Sequence, residues 1–301
     1  MKHLVFFFSL LTFSINVCSA QVNQTPQTRR SGEKPVDRTS KSADRSFEAL
    51  RTLDVPQTFN KTPLEVLGQD IQPLYRKPGK KDLKDLSPSE NVLSRYQHFL
   101  KQSNSGIFKL SSDTSCANNL VVTAASGQCA ANKVPGGGTA YSFRFNSHRL
   151  LHLADITLEK DVLKTDGARQ QGLMVSLGDL DLEQVTTETR GLRYLLDFKP
   201  GASKAEMQRI DQQLSTGIEV DGFIYRLGFY VETGTTFALR SIAYRGKLMR
   251  SVKGVVYDEM DYDKRKDILV VFRIVEKDPN GDITVVWREL SRKDAPVLQE
   301  N

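Results

Sequence analysis

The stretch ILVVFRIVEKDPNGDITVVWREL, residues 268–290, decides the fold class. Two runs rich in β-branched and aromatic residues, 268–275 and 283–290, flank an Asp-Pro-Asn-Gly turn at 278–281. Proline suits the second position of a type I turn, and glycine accepts the left-handed backbone of a bulged hairpin loop. The stretch therefore predicts an antiparallel hairpin. One of its faces carries five apolar residues: Val270, Phe272, Ile274, Val285 and Trp287.

The chain before this hairpin is also mostly strand-like. Short apolar runs bounded by Gly or Asp predict strands at 140–145, 173–177, 192–198, 223–231 and 237–244. The loops between them are too short for helical crossovers, so we expect antiparallel pairing. Helices are predicted after Ser89 and after Ser203, where Ser203 and Glu206 have the spacing of a capping box. The sequence thus predicts a mainly β (α+β) fold: an antiparallel β-sandwich or open barrel with one or two packed helices.

The N-terminal twenty residues are typical of a signal peptide. Lys2 and His3 precede an apolar run at 4–13, and Cys18-Ser19-Ala20 offers small residues for cleavage near Ala20. This run is shorter than the roughly 20 residues that span a bilayer, and no later stretch qualifies as a transmembrane segment. We therefore expect a secreted or periplasmic protein.

Residues 21–87 form a basic arm rich in Pro, Ser and Thr, which we expect to be disordered because it has too little apolar surface to fold alone. A single β-rich domain is predicted for 88–301. The whole chain has a net charge of +6. The arm holds 13 basic and 9 acidic residues, against 28 and 27 in 88–301. The excess positive charge therefore lies mainly in the arm, and the global charge is poor support for nucleic-acid binding.

Two cysteines remain after the signal peptide, Cys116 and Cys129. In an exported chain such a pair is expected to form a disulfide. The two residues lack the Cys-x-x-Cys spacing of redox motifs, and no His lies within ten residues of either. The sequence therefore predicts a structural bridge.

Motifs for nucleophilic catalysis are missing from the sequence. There is no Gly-x-Ser-x-Gly motif, and pairing of the cysteines would remove a thiol nucleophile. His148 and His152 have the spacing of ligands on a helix, but they lie between strand-like runs, where that spacing has no special meaning. We expect them in a surface loop, and we expect no cofactor.

One acidic segment is a weak candidate for a metal site. Asp258, Asp261 and Asp263 could supply oxygen ligands for Ca²⁺. However, no Gly stands at the sharp-turn position and Lys264-Arg265-Lys266 follows at once. A solvated loop with alternating blocks of charge is the favoured interpretation.

A basic strip, by contrast, suggests an anionic partner. Its five cations occupy fourteen residues that contain no acid: Arg240, Arg245, Lys247, Arg250 and Lys253. In an exported protein the partner would be an anionic component of the cell envelope. The arm could also bind another envelope protein.

Two functions remain open on the sequence. The first is a non-enzymatic binding or structural domain of the cell envelope or extracellular space. The second is a hydrolase of an envelope polysaccharide, which needs two carboxylates about 5–10 Å apart. Seven acidic residues in or beside strand-like segments are candidates for such a pair: Asp179, Asp181, Glu183, Asp197, Glu219, Asp221 and Glu232.

Overall fold

The hairpin predicted for residues 268–290 forms and lies inside a large antiparallel sheet. In this computed structural model its strands are β13, Lys266–Lys277, and β14, Ile283–Asp294. Gly281 has a φ of 91°, and its amide donates to the Asp278 carbonyl at 2.9 Å. The structure describes residues 71, 75–117, 129, 134–165, 167–252 and 255–299.

The remaining strands are short. They are β1 Ser105–Leu110, β2 Ala140–Ser142, β3 Ser147–His148, β4 Ile156–Glu159, β5 Val162–Lys164, β6 Gln170–Gly178, β7 Ile218–Val220, β8 Phe223–Arg226, β9 Gly228–Tyr230, β10 Thr236–Ala243, β11 Met249–Val252 and β12 Val255–Asp258. They pair antiparallel as a seven-stranded sheet (β1-β14-β13-β10-β6-β8-β7), a five-stranded sheet (β3-β2-β4-β5-β9) and a two-stranded sheet (β11-β12).

Helices cover part of this frame. The α-helices are α1 Glu90–Arg95, α2 Leu192–Asp197 and α3 Lys204–Thr216. Short 3-10 helices lie at Lys84–Leu86, Phe99–Lys101, Thr114–Cys116, Pro135–Gly138, Leu151–Leu153, Leu182–Gln184 and Glu259–Tyr262. The predicted capping box begins α3: the Ser203 hydroxyl accepts from the Glu206 amide, and the Glu206 carboxylate accepts from the Ala202 amide.

The seven-stranded sheet is covered on both faces. One face packs against the five-stranded sheet, in a core that contains the five apolar residues predicted for one face of the hairpin. The other face packs against α2 and α3 through residues such as Leu195 and Leu214. Strand β10 is therefore buried along its whole length, since both of its faces meet a layer of the protein. A mainly β, antiparallel, sandwich-like fold with few helices is confirmed.

The strand predicted at 192–198 is wrong, because this segment is the helix α2. Its fully buried residues are Leu192 and Leu195, three apart, while Arg193 and Asp197 are exposed. That spacing belongs to one face of a helix rather than to the two-residue alternation of a strand. Apolar content alone therefore does not distinguish this helix from a strand. The spacing of the apolar residues along the chain does.

The described part of the arm contacts the domain. Tyr75 stacks on Tyr262 with ring centroids 4.6 Å apart, and Pro78 is buried. Contacts with the domain thus begin before residue 88, since the Tyr75 ring packs on the ring of Tyr262. The predicted signal peptide and most of the arm, residues 1–70 and 72–74, lie outside the described residues.

The predicted disulfide is present. Cys116 and Cys129 are bonded, and their Cα atoms are 5.5 Å apart. The bridge fixes the 3-10 helix Thr114–Cys116, which contacts the glycine-rich helix Pro135–Gly138. Gly137 needs its small size there, because a Cβ would lie 2.8 Å from the Cys116 carbonyl. The bridge is therefore part of the packing at this end of the domain.

Candidate functional site

The first residue of the predicted basic strip, Arg240, faces the interior. It lies on β10, it is 4% exposed, and its guanidinium pairs with Asp267. It also donates to the carbonyls of Leu195 and Phe198 at the end of α2. Arg240 therefore joins the sheet to a helix, and it cannot contact an anionic partner.

Three other members of the strip lie at the surface. Arg245 and Lys247 are exposed in the segment that follows β10, and Arg250 is exposed on β11. The Arg245 backbone is tied to the C-terminal segment, since its amide donates to the Pro296 carbonyl at 2.8 Å. Lys253 lies outside the described residues. The Arg245 side chain donates to the Ala295 carbonyl and that of Arg250 to Glu259, so the three exposed cations follow one another along the chain into the hairpin but have different surroundings.

That hairpin, β11–β12, pairs with neither of the larger sheets. Its register places Met249 opposite Asp258 and Ser251 opposite Val256, so these four residues share one face. Met249 is 57% exposed and Val256 is 62% exposed, so this face is directed to solvent. We call it the outer face. The hairpin thus presents two apolar side chains to water, and the exposed Lys247 comes shortly before it in the chain.

The opposite face of the hairpin meets a buried carboxylate. Glu259, in the 3-10 helix after β12, accepts hydrogen bonds from His152 at 2.8 Å, Arg250 at 2.8 Å and Tyr75 at 2.7 Å. The Tyr75 and Tyr257 hydroxyls lie 2.6 Å apart. Since Tyr75 gives its proton to Glu259, Tyr257 donates to Tyr75. We call these five residues the Glu259 cluster.

The charge of Glu259 is set by its partners. Burial favours the neutral acid and raises its pKa, but the hydrogen bonds from His152, Arg250 and Tyr75 outweigh this and lower the pKa to about 2. Burial also raises the pKa of the Tyr75 hydroxyl well above its usual range. Glu259 is therefore an anion at neutral pH, and Tyr75 is a neutral donor.

Arg149 makes a second set of contacts, which holds residues of and beside the Glu259 cluster. Arg149 donates to the carbonyls of Tyr75 at 2.6 Å and Tyr262 at 2.7 Å. Its guanidinium also lies 4.0 Å from the centre of the Phe145 ring. These contacts hold Tyr75 and Tyr262 in place. As a result, one set of contacts connects the segment at Tyr75, the β11–β12 hairpin and the 3-10 helix Glu259–Tyr262. We call this connected region the joint.

This joint has no nucleophile beside its histidine. His152 is bonded to Glu259, and among the described residues no Ser or Cys side chain is bonded to His152. The expectation of two histidines in a surface loop is wrong for His148, which is buried in β3 with its Nε2 donating to the Lys109 carbonyl. Burial lowers the pKa of His148 to about 4.

Two of the three aspartates in the weak metal candidate are bonded to other groups of the protein, and the third is exposed. Asp258 accepts from the amides of Leu248 and Met260, and Asp261 is exposed. The Asp263 carboxylate is buried between Arg144 at 2.7 Å and Arg265 at 2.5 Å. Throughout the described ranges, no three His, Cys, Asp or Glu residues come together as a set of metal ligands.

The seven carboxylates considered for a hydrolase all lie at the surface. Asp179 pairs with Arg273, and Arg193 lies 3.6 Å from Asp197. A carboxylic acid that acts as a general acid is usually kept protonated by burial, and none of the seven has that protection. Two of them, Asp197 and Asp221, line the same open cleft.

The sequence reasoning missed the Glu259 cluster. Glu259 lies within the acidic segment at 258–263, and Tyr75 lies within the predicted arm. The cluster draws its members from segments more than 100 residues apart, such as His152 and Glu259, so no local spacing indicates it. The local signal that the sequence offers is the pair Tyr257 and Tyr262, which lie on either side of Glu259.

Two observations concern the compartment. In the part of the chain that the structure describes, no helix is long and apolar enough to cross a membrane. The Cys116–Cys129 disulfide is compatible with an exported protein, because such bonds persist in oxidising compartments.

No family model matches the chain, and neither the curated proteins nor the solved structures give a match.

Proposed function

We propose that this chain is a non-enzymatic binding domain of an exported protein and that the β11–β12 hairpin attaches it to an anionic lipid surface of the cell envelope. The observation that carries the proposal is the outer face of the hairpin. Met249 and Val256 are exposed there, and Lys247 is exposed two residues before Met249. Arg250 lies on the opposite face with its side chain 45% exposed, and Asp258, on the outer face, accepts from the amides of Leu248 and Met260. Apolar side chains that enter a lipid interface and cations that contact its headgroups are the usual elements of such attachment.

The inner face of the hairpin supports this role by fixing its position. The Nε of Arg250 is bonded to Glu259, while the side chain remains 45% exposed. The pKa of Arg250 is raised by its hydrogen bond to Glu259, so its charge is permanent. The hairpin is thus presented by a joint of hydrogen bonds rather than by strand pairing to the larger sheets. The net charge of +4 in residues 21–87 adds to the same attraction.

Vesicle sedimentation tests the proposal. The purified full chain is mixed with vesicles of phosphatidylcholine alone or with phosphatidylglycerol added, at low and at high salt. We expect binding to the anionic vesicles, and weaker binding at high salt because salt screens exposed charges. Lys247→Ala should weaken binding about fivefold, since one cation near the surface contributes ~1 kcal/mol. Met249→Ser with Val256→Ser should weaken it further.

Matched controls come from exposed residues far from the hairpin in sequence. Lys199→Ala removes one exposed cation, and Ile224→Ser removes one exposed apolar side chain. Every variant keeps residues 1–87 unchanged, so differences between variants report the domain and not the arm. Equal binding by the hairpin variants and the controls would overturn the proposal, as would equal binding to neutral and anionic vesicles.

The hydrolase hypothesis makes a contrary prediction. If the chain cleaved a polysaccharide through a pair of carboxylates, incubation with peptidoglycan or chitin would release reducing ends. We expect no release, because all seven carboxylates are exposed to water. Release that Asp197→Asn and Asp221→Asn both abolished would replace the non-enzymatic function with the hydrolase.

A further inference from the structure

An open cleft lies between the turn at 187–191, the helix α2 and the turn between β7 and β8. Its volume is about 600 Å³, within the range of ligand pockets. The lining includes two residues of α2, Leu196 and Asp197, and two residues of the β7–β8 turn region, Asp221 and Phe223. None of these residues belongs to the basic strip or to the Glu259 cluster.

The wall of the cleft is preformed. The Gly191 carbonyl accepts a hydrogen bond from the buried Tyr225 hydroxyl at 2.9 Å. Gly191 has a φ of 90°, and a Cβ at this position would lie 3.0 Å from the Phe223 ring, so the ring packs against bare backbone. The Thr186 amide donates to the Thr189 hydroxyl at 2.9 Å, which fixes the preceding turn. The backbone of this wall is therefore ordered before a ligand binds, which reduces the entropy lost on binding.

The lining of the cleft carries charges of both signs. The lining holds three carboxylates, those of Glu188, Asp197 and Asp221, and two guanidinium groups, those of Arg190 and Arg193. Nε of Arg193 lies 3.6 Å from the Asp197 carboxylate. These charges nearly balance, so the lining gives neither a strong anion nor a strong cation a large electrostatic advantage. A neutral ligand with many hydroxyl groups can both donate to the carboxylates and accept from the guanidinium groups, and hydrogen bonds to charged groups are the stronger kind.

Apolar surface completes this match. Leu196 is 39% exposed, and Phe223 is half-buried at the same cleft, with the Arg190 guanidinium 5.8 Å from the centre of its ring. The C–H faces of sugar rings need such apolar contacts, while their hydroxyl groups need polar ones. The cleft is also open to solvent, which suits a stretch of a polymer better than an enclosed small molecule. We propose that this cleft binds a neutral oligosaccharide segment, with Asp197 and Asp221 accepting hydrogen bonds from sugar hydroxyls and Phe223 contacting a ring.

Titration with defined sugars tests the site. Chitotriose, cellotriose and maltotriose are added to the purified full chain, and amide chemical shifts are followed by NMR. We expect at least one of these neutral trisaccharides to shift the amide signals of residues 187–197 and 221–223. Asp197→Asn and Asp221→Asn should each weaken that binding about tenfold, the size of one hydrogen bond to a charged group.

The variants are chosen to preserve the fold. Asn-Gly forms the same tight turn as Asp221-Gly222, in which both residues have positive φ. Asp197 is exposed at the end of α2. Asp181→Asn is the matched control, because Asp181 is another exposed aspartate outside the cleft.

Three results would overturn the proposal. The first is the absence of shifts at the cleft with every trisaccharide. The second is equal weakening by the Asp181 control. The third is binding of a charged peptide, such as tetralysine or tetraglutamate, at the cleft in preference to all three sugars. None of these results depends on vesicle binding by the hairpin, so the two proposals succeed or fail separately.

Discussion

Arg240 and Asp267 form a two-point ion pair inside the layer between the seven-stranded sheet and the helices. Nε of Arg240 lies 2.9 Å from one carboxylate oxygen, and Nη2 lies 2.8 Å from the other. Nη1 donates to the carbonyls of Leu195 at 2.7 Å and Phe198 at 2.8 Å. One side chain thus neutralises a buried acid and satisfies the carbonyl end of α2.

Removal of this guanidinium should be costly. We expect Arg240→Met to lower the free energy of unfolding by about 3–5 kcal/mol, because it leaves the Asp267 charge buried without its main partner. Urea denaturation followed by tryptophan fluorescence measures the change. Lys247→Met, at an exposed position of the same strip, should change the free energy by less than about 0.5 kcal/mol. Equal effects of the two substitutions would show that Arg240 does not tie the helix to the sheet.

Glu259 should make stability depend on pH in the acid range. Its pKa is about 2 in the folded protein, below the ordinary value of about 4.3 in an unfolded chain. Its contribution is therefore fully present above pH ~4.3 and is lost as the pH falls toward 2. We expect the wild-type chain to lose about 2–3 kcal/mol more than Glu259→Gln over this interval. Denaturant titrations at several pH values provide the measurement.

The matched control for this prediction is Glu232→Gln, which alters an exposed glutamate. This variant should keep the pH dependence of the wild-type chain. If Glu259→Gln kept it as well, the hydrogen bonds from His152, Arg250 and Tyr75 would not control the ionisation of Glu259.

His148 should act in a higher pH window. Burial lowers its pKa to about 4, against about 6.5 for an unfolded chain, so folding favours the neutral ring. The stability that depends on this neutral ring is fully present above pH ~6.5 and is lost as the pH falls toward 4. The total loss should be about 3 kcal/mol.

The substitution His148→Gln tests this window, because an amide can still donate to the Lys109 carbonyl and does not titrate. We expect the variant to have a flatter stability profile between pH 6.5 and 4 than the wild-type chain. His98→Gln, which changes an exposed histidine, should leave the profile unchanged. A profile that both variants flattened to the same degree would contradict the assignment to His148.

The disulfide should contribute roughly 3 kcal/mol, the value for a closed loop of about 15 residues. Cys116 and Cys129 are 13 residues apart. We expect the double variant Cys116→Ser, Cys129→Ser to unfold at a lower urea concentration than the oxidised wild-type chain. The reduced wild-type chain should unfold near the double variant. An unchanged midpoint on reduction would mean that the bridge does not constrain the unfolded chain.

Local signals in the sequence predicted the parts of the fold that are themselves local. The hairpin at 268–290 and the capping of α3 at Ser203 each depend on residues a few positions apart, and both are confirmed. The strand predicted at 192–198 failed because apolar content was weighed above the three-residue spacing of Leu192 and Leu195. The disulfide was predictable because the signal peptide hypothesis left one pair of cysteines.

The candidate site was much less predictable. A basic strip can be read from sequence, but the burial of Arg240 depends on Asp267, which lies 27 residues away on a neighbouring strand. The exposure of Met249 and Val256 depends on which segments pack against the outer face of the hairpin, and none of the described residues covers it. Contacts of this kind join segments that are distant in sequence, so the local spacing of residues does not predict them.

Strand β10 is paired with β6 on one edge and β13 on the other, and both of its faces are buried. Its amide hydrogens can therefore exchange with solvent only when the whole frame opens, so their exchange rates report global stability. The β11–β12 hairpin is a separate two-stranded unit, and its amides can exchange by local opening. A single hydrogen-exchange experiment would thus report the opening of the seven-stranded sheet and that of the hairpin on two different timescales. A ligand that slowed exchange only in the hairpin would thereby show where it binds.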